Sequence, residues 1–83
     1  MPSVRCKFVE GLASSERIAK ITTKNGTVEE VPVSSRNIEE ESLEVGRIGS
    51  DPKQGVLIEL PRESLNGRWR LWVEEAQMIE DKS

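Results

Sequence analysis

The chain has 83 residues, 35% of them apolar and 33% charged, with a formal net charge of −3. That length fits one domain spanning residues 1–83 with a thin core, and the acidic balance works against general phosphate-backbone binding, which needs a surplus of Lys and Arg on one face. The chain contains no histidine and one cysteine, Cys6, so the commonest general base and metal ligand is missing and no internal disulfide can form.

Taken in chain order, the dominant signal is period-two alternation of apolar and polar residues, broken by turn residues. Val4, Cys6 and Phe8 alternate with Arg5 and Lys7, which predicts a first strand closed by Gly11. Arg17 to Thr23 and Thr27 to Val33 flank Asn25-Gly26, a strong hairpin signal, because type I′ turns need positive φ at both central positions. A two-residue turn there sets Ile18 opposite Val33 and Lys20 opposite Val31. A helix from Ser14 or Ser15 to Lys24 is the alternative, weakened by Thr22-Thr23 at its end. Pro32 cannot donate to a ladder, so its strand is expected at a sheet edge. Ser34 to Ser42 is expected to connect, with a turn or short helix.

Leu43 to Gly49 and Val56 to Leu60 predict a second hairpin around the Asp51-Pro52 and Gly55 turn signals. The nearly continuous apolar run Val56-Leu57-Ile58, with Leu60, suggests a central strand buried on both faces. Pro61 ends it, and Asn66-Gly67 marks another turn. Arg68 to Val73 is the next strand, with Trp69, Leu71 and Val73 on one side and Arg68, Arg70 and Trp72 on the other. Which tryptophan is exposed stays open. Glu74-Glu75-Ala76 suggests a brief helical turn before a last strand, Gln77 to Ile79, with a helix from Glu74 to Asp81 as the alternative; Asp81 to Ser83 are expected to fray. Only three aromatics are present, Phe8, Trp69 and Trp72, and each is expected to weigh heavily in so small a core.

This pattern predicts an all-β, mainly antiparallel fold of five or six short strands with short helical turns. The run Val56-Leu57-Ile58-Glu59-Leu60, the Asn66-Gly67 turn, Arg68 to Val73, the Glu74-Glu75-Ala76 turn and Gln77-Met78-Ile79 resemble the closing half of a Src-homology-3-like barrel. That resemblance covers residues 56–79 and implies a small barrel. Peptide-binding members carry an early Ala-Leu-Tyr-Asp-Tyr-type motif and a late Pro-x-x-Tyr. This chain has no tyrosine, so the resemblance does not extend to their recognition of proline-rich peptides.

The candidate site is the stripe Arg68, Arg70 and Trp72. Trp and Arg are the residues most enriched in interaction hot spots, and an Arg beside an indole can stack on it. Arg47 or Arg62 would extend the patch if near. The bland reading is a half-buried Trp72 with Arg stems packed over it. The stripe points to a protein partner or to self-association. A nucleic-acid-associated accessory role, with bases stacked on Trp72, is the alternative.

No feature indicates an enzyme, a cofactor, a metal or a small-molecule substrate. The zone Glu29, Glu30, Glu39, Glu40, Glu41 and Glu44 fits no calcium-loop spacing and suggests a solvated face. Cys6, among alternating apolar neighbours, suggests a buried small hydrophobe. Gly46-Arg47-Ile48-Gly49 lacks the Lys-Ser or Lys-Thr of a phosphate loop. With no signal-peptide-like start, no apolar run of membrane-spanning length and no disulfide, the default expectation is a cytoplasmic protein without a membrane partner.

Overall fold

The structure is a computed structural model and describes residues 2–11, 13–35, 38, 39 and 41–79. The described residues form ten short strands, in the order β1 (Ser3–Arg5), β2 (Lys7–Glu10), β3 (Glu16–Thr22), β4 (Val28–Ser34), β5 (Ile38–Glu39), β6 (Ser42–Glu44), β7 (Gly46–Asp51), β8 (Gly55–Glu59), β9 (Arg70–Val73), then the 3₁₀ turn Glu75–Gln77 and β10 (Met78–Ile79). The five or six strands expected are thus corrected to ten, because the strands expected to begin at Val4 and Leu43 are each interrupted and β5 forms in the stretch expected to connect. Every pairing is antiparallel. Both helical alternatives, over 14–24 and from Glu74, give way to strand and 3₁₀ turn. No helix among the described residues is long and apolar enough to cross a membrane.

The strands fall into three small sheets, ordered β10-β1-β6-β5, β2-β3-β4 and β7-β8-β9. The ladders do not close on themselves, so the structure is all-β without the continuous ring of pairing that the sequence leads one to expect. Two strands nevertheless pass from sheet to sheet. Only Cys6 separates β1 from β2, and only Val45 separates β6 from β7. Both corner residues are buried, and the amides there stay bonded: Cys6 N–H donates to the Glu41 carbonyl at 2.9 Å and Val45 N–H to the Pro2 carbonyl at 3.0 Å. A corner in a buried strand is tolerable only when its backbone groups keep partners.

The core is one cluster of aliphatic side chains with Cys6. Val4, Ala19, Ile21, Val31, Val33, Leu43, Val56, Ile58, Leu71 and Val73 supply most of it. None of the three aromatics lies fully inside. Phe8 packs on the edge of the cluster, Trp72 is half-buried, and Trp69 is 52% exposed. β8 is central, as expected, but is buried on one face only: Val56 and Ile58 are inside, Leu57 is half-buried and Glu59 is exposed. β4 is an edge of its sheet, which accommodates Pro32.

The first hairpin pairs one residue out of the expected register. Ile18 faces Pro32, Lys20 faces Glu30 and Thr22 faces Val28. The cause is the turn. Gly26 N–H donates to the Thr23 carbonyl at 2.9 Å, Thr23 N–H donates to the Thr27 carbonyl at 2.7 Å, and Gly26 has a φ of 87°. These are the marks of a three-residue loop that ends on a left-handed glycine. A one-residue slip exchanges faces. Ala19 and Ile21 therefore share the core side with Val31 and Val33, and the residue opposite Ile21 is Glu29.

Candidate functional site

Asn66-Gly67 repeats the geometry of Asn25-Gly26. Gly67 N–H donates to the Ser64 carbonyl at 2.9 Å, Ser64 N–H donates to the Arg68 carbonyl at 2.8 Å, and Gly67 has a φ of 80°. In each turn a hydroxyl residue stands two positions before the asparagine. Thr23 Oγ1 lies 2.7 Å from Thr27 Oγ1, and Ser64 Oγ accepts the Arg68 N–H at 3.1 Å.

The two turns clasp each other. Lys24 N–H of the first donates to the carbonyl of Trp72 in β9, and Leu65 N–H of the second donates to the carbonyl of Glu30 in β4, both at 2.8 Å. Glu29 sits between them, 5% exposed. Its carboxylate accepts from Ser64 Oγ at 2.9 Å and Asn66 Nδ2 at 3.4 Å, and Arg68 Nε lies 3.5 Å away. Burying a carboxylate is costly unless donors surround it, and here three donors come from one turn. The expectation that Glu29 belongs to a solvated acidic face is thus corrected. Glu40 and the side chain of Glu39 lie outside the described residues. Glu44 is exposed, as expected of a solvated residue.

Beside this clasp runs an open groove of about 350 Å³. Arg68, Arg70 and Trp72 all line it, joined by Lys24 and Asn66. The three residues singled out from sequence therefore do converge, although not as one strand face. Arg68 belongs to the turn and β9 begins at Arg70. Trp69, expected in the core stripe beside Leu71, stands instead at a bend before the strand, its carbonyl accepting from Leu60 N–H at 2.8 Å. Neither Arg47 nor Arg62 lines the groove; Arg47 is held by Glu75 at 3.2 Å.

Each cation of the groove has a carboxylate in reach. Arg68 faces Glu29, Arg70 faces Glu59 at 3.5 Å, and Lys24 meets Glu74 at 2.8 Å. Arg70, Glu59 and Lys24 are exposed, and exposed pairs are worth about 0–1 kcal/mol, so an incoming anion can exchange with them at small cost. On the outer face Trp72 pairs with half-buried Leu57, which pairs in turn with Gly49. Indole and leucyl group thus stand side by side in one cross-strand row beside the groove, with the side-chain-free Gly49 beyond them.

Two other groups bear on chemistry. Burial pushes the Cys6 thiol up to about 11, so at neutral pH it is a thiol and not a thiolate nucleophile. Ser64 and Glu29 make a hydroxyl–carboxylate pair, but both are 5% exposed and Ser64 Oγ already accepts a backbone N–H. The pair is therefore built to hold the turns together.

The place of Lys24, Glu29, Ser64 and Asn66 in this site escaped sequence reasoning, which had Glu29 only as a solvated carboxylate and Asn66 only as a turn residue. The available signal was the repeat itself, Thr23-Lys24-Asn25-Gly26-Thr27 against Ser64-Leu65-Asn66-Gly67-Arg68, with its hydroxyl in register. No family model, curated protein or solved structure matches this chain.

Proposed function

We propose that this chain is a small Src-homology-3-like barrel that serves as a non-catalytic interaction module, taking a segment of a protein partner in the groove lined by Arg68, Arg70 and Trp72. The barrel reading is supported by the two strands that turn corners at Cys6 and Val45, and by the succession of β8, β9, a single 3₁₀ turn and a short last strand laid against β1. The binding reading is carried by one observation: a half-buried indole and exchangeable cations converge on one open groove. Trp and Arg in such a setting supply much contact energy for little lost side-chain freedom.

Selection from a random peptide library on the immobilised protein tests this. The expected outcome is enriched segments whose binding shifts Trp72 emission in a Trp69→Phe background and is lost in Arg70→Gln and Trp72→Phe. Failure to enrich any segment, or binding indifferent to both substitutions, overturns it. The second reading, a nucleic-acid accessory using the same face, rests on stacking against Trp72. It predicts salt-sensitive binding of single-stranded oligonucleotides, and no binding at low salt removes it.

A further inference from the structure

A second and larger groove, of about 760 Å³, adjoins the first at the β3–β4 turn. Arg5, Lys7, Lys20 and Lys24 line it, with the hydroxyl residues Thr22 and Thr23. Four of the chain's 12 basic residues thus gather on one groove of a protein whose net charge is −3. Lys7 and Lys20 stand directly opposite each other across β2 and β3, both exposed. Like charges so placed destabilise a sheet. Among the described residues, neither they nor Arg5 has an ion-pair partner. Glu30, the neighbour of Lys20 on its other flank, makes no ion pair with it. Cations held against one another, with no ion-pair partner among the described residues, suit an anion from outside.

We infer that this groove binds an extended polypeptide segment bearing acidic side chains, its carboxylates meeting Arg5, Lys7 and Lys20. The walls favour a peptide over a nucleic acid. Glu41 and Glu74 also line the groove, and their carboxylates can accept the N–H groups that a peptide backbone carries and a sugar-phosphate backbone lacks. Val28, 49% exposed in the same wall, offers an apolar contact to the alternate side chains of an extended segment. This inference does not rest on Arg68, Arg70 or Trp72; the two grooves adjoin and share Thr23, Lys24 and Val28, while Arg5, Lys7 and Lys20 line only this one.

The experiment is fluorescence anisotropy of a labelled Glu-Val repeat peptide, titrated with the full chain at low and physiological salt. Saturable binding that weakens with salt is expected, reduced at least about fivefold in Lys7→Glu and in Lys20→Gln and unchanged in Arg70→Gln and Trp72→Phe. Lys7→Glu converts the repulsive pair into an attractive one. Its melting temperature should therefore rise by about 1–4 °C while binding falls, an inverse movement that a merely structural role does not produce. Absence of saturable binding, binding indifferent to both lysine substitutions, or tighter binding of a single-stranded oligonucleotide overturns the inference. Loss of binding in Arg70→Gln alone would assign the peptide to the other groove and also overturn it.

Discussion

Removing the carboxylate of Glu29 leaves buried Ser64 Oγ without its acceptor and takes a partner from the exposed Asn66 Nδ2 and Arg68 Nε. Glu29→Ala should cost about 2–4 kcal/mol in denaturant unfolding, whereas Glu29→Gln, which keeps an acceptor for Ser64, should cost about 1 kcal/mol. Equal losses would show that charge, and not the hydrogen bonds, holds the clasp. Cys6 makes a different prediction. Its folded-state pKa of about 11 lies above the ordinary value of 9.0, so from pH 9 to pH 11 the unfolded chain gives up a proton that the folded one keeps. Stability from this source is complete below pH 9 and falls as pH rises toward 11, by at most about 2–3 kcal/mol. Equilibrium unfolding across that range should show the slope in the wild type and lose it in Cys6→Ala. The burial of Cys6 was legible in the alternation around it. That of Glu29 was not, because its three donors lie in a turn far along the chain and only the fold brings them over it.

At the scale of the element, glycine decides the turns. Gly55 has a φ of 96°, and a methyl group there would run into the Val73 carbonyl oxygen of the neighbouring strand. Gly55→Ala should cost about 2–4 kcal/mol, read as a lowered denaturation midpoint with unchanged slope. Gly49→Ala meets open space and should be nearly neutral by comparison. Beside Gly55, Asp51 Oδ1 accepts from Lys53 N–H at 2.8 Å and Gln54 N–H at 3.1 Å, so the Asp51-Pro52 signal was a sound guide to this hairpin. Asn25-Gly26 was a sound guide to a turn but not to its length. Two- and three-residue loops share that dipeptide, and the choice moves the partner strand by one residue. The same difficulty displaced Trp69: a strand counted from Arg68 carries it inward, whereas the strand that forms begins at Arg70.

At the scale of the molecule, most strand positions and the 3₁₀ segment with its short last strand followed from alternation and turn chemistry, but the expected first strand and the strand from Leu43 each break in two, and β5 lies in a stretch expected only to connect. How the strands group did not follow, because grouping depends on corners at Cys6 and Val45, where nothing local distinguishes a bend from a straight run. The candidate groove was half visible: Arg68, Arg70 and Trp72 stood together in sequence, while Lys24 and Asn66 arrive through the clasp. Scattered exposed apolar residues, among them Val9, Ile48 and Leu65, need no partner to explain them individually. Trp72 and Leu57, by contrast, are cross-strand neighbours on one face beside the groove.

The ladder of β1 with β10 pairs Ser3 with Ile79 and Val4 with Met78. It joins residues far apart in sequence, so the long stretch between them must be looped before this contact can form, while the β3–β4 hairpin closes across a few residues. Loop-closure entropy then orders the events of folding, with the hairpin early and the two-residue latch late. Truncations in β4, such as Val31→Ala, should slow refolding, and Met78→Ala should chiefly hasten unfolding in a chevron analysis. That two-residue seam should then be where the native protein first comes apart.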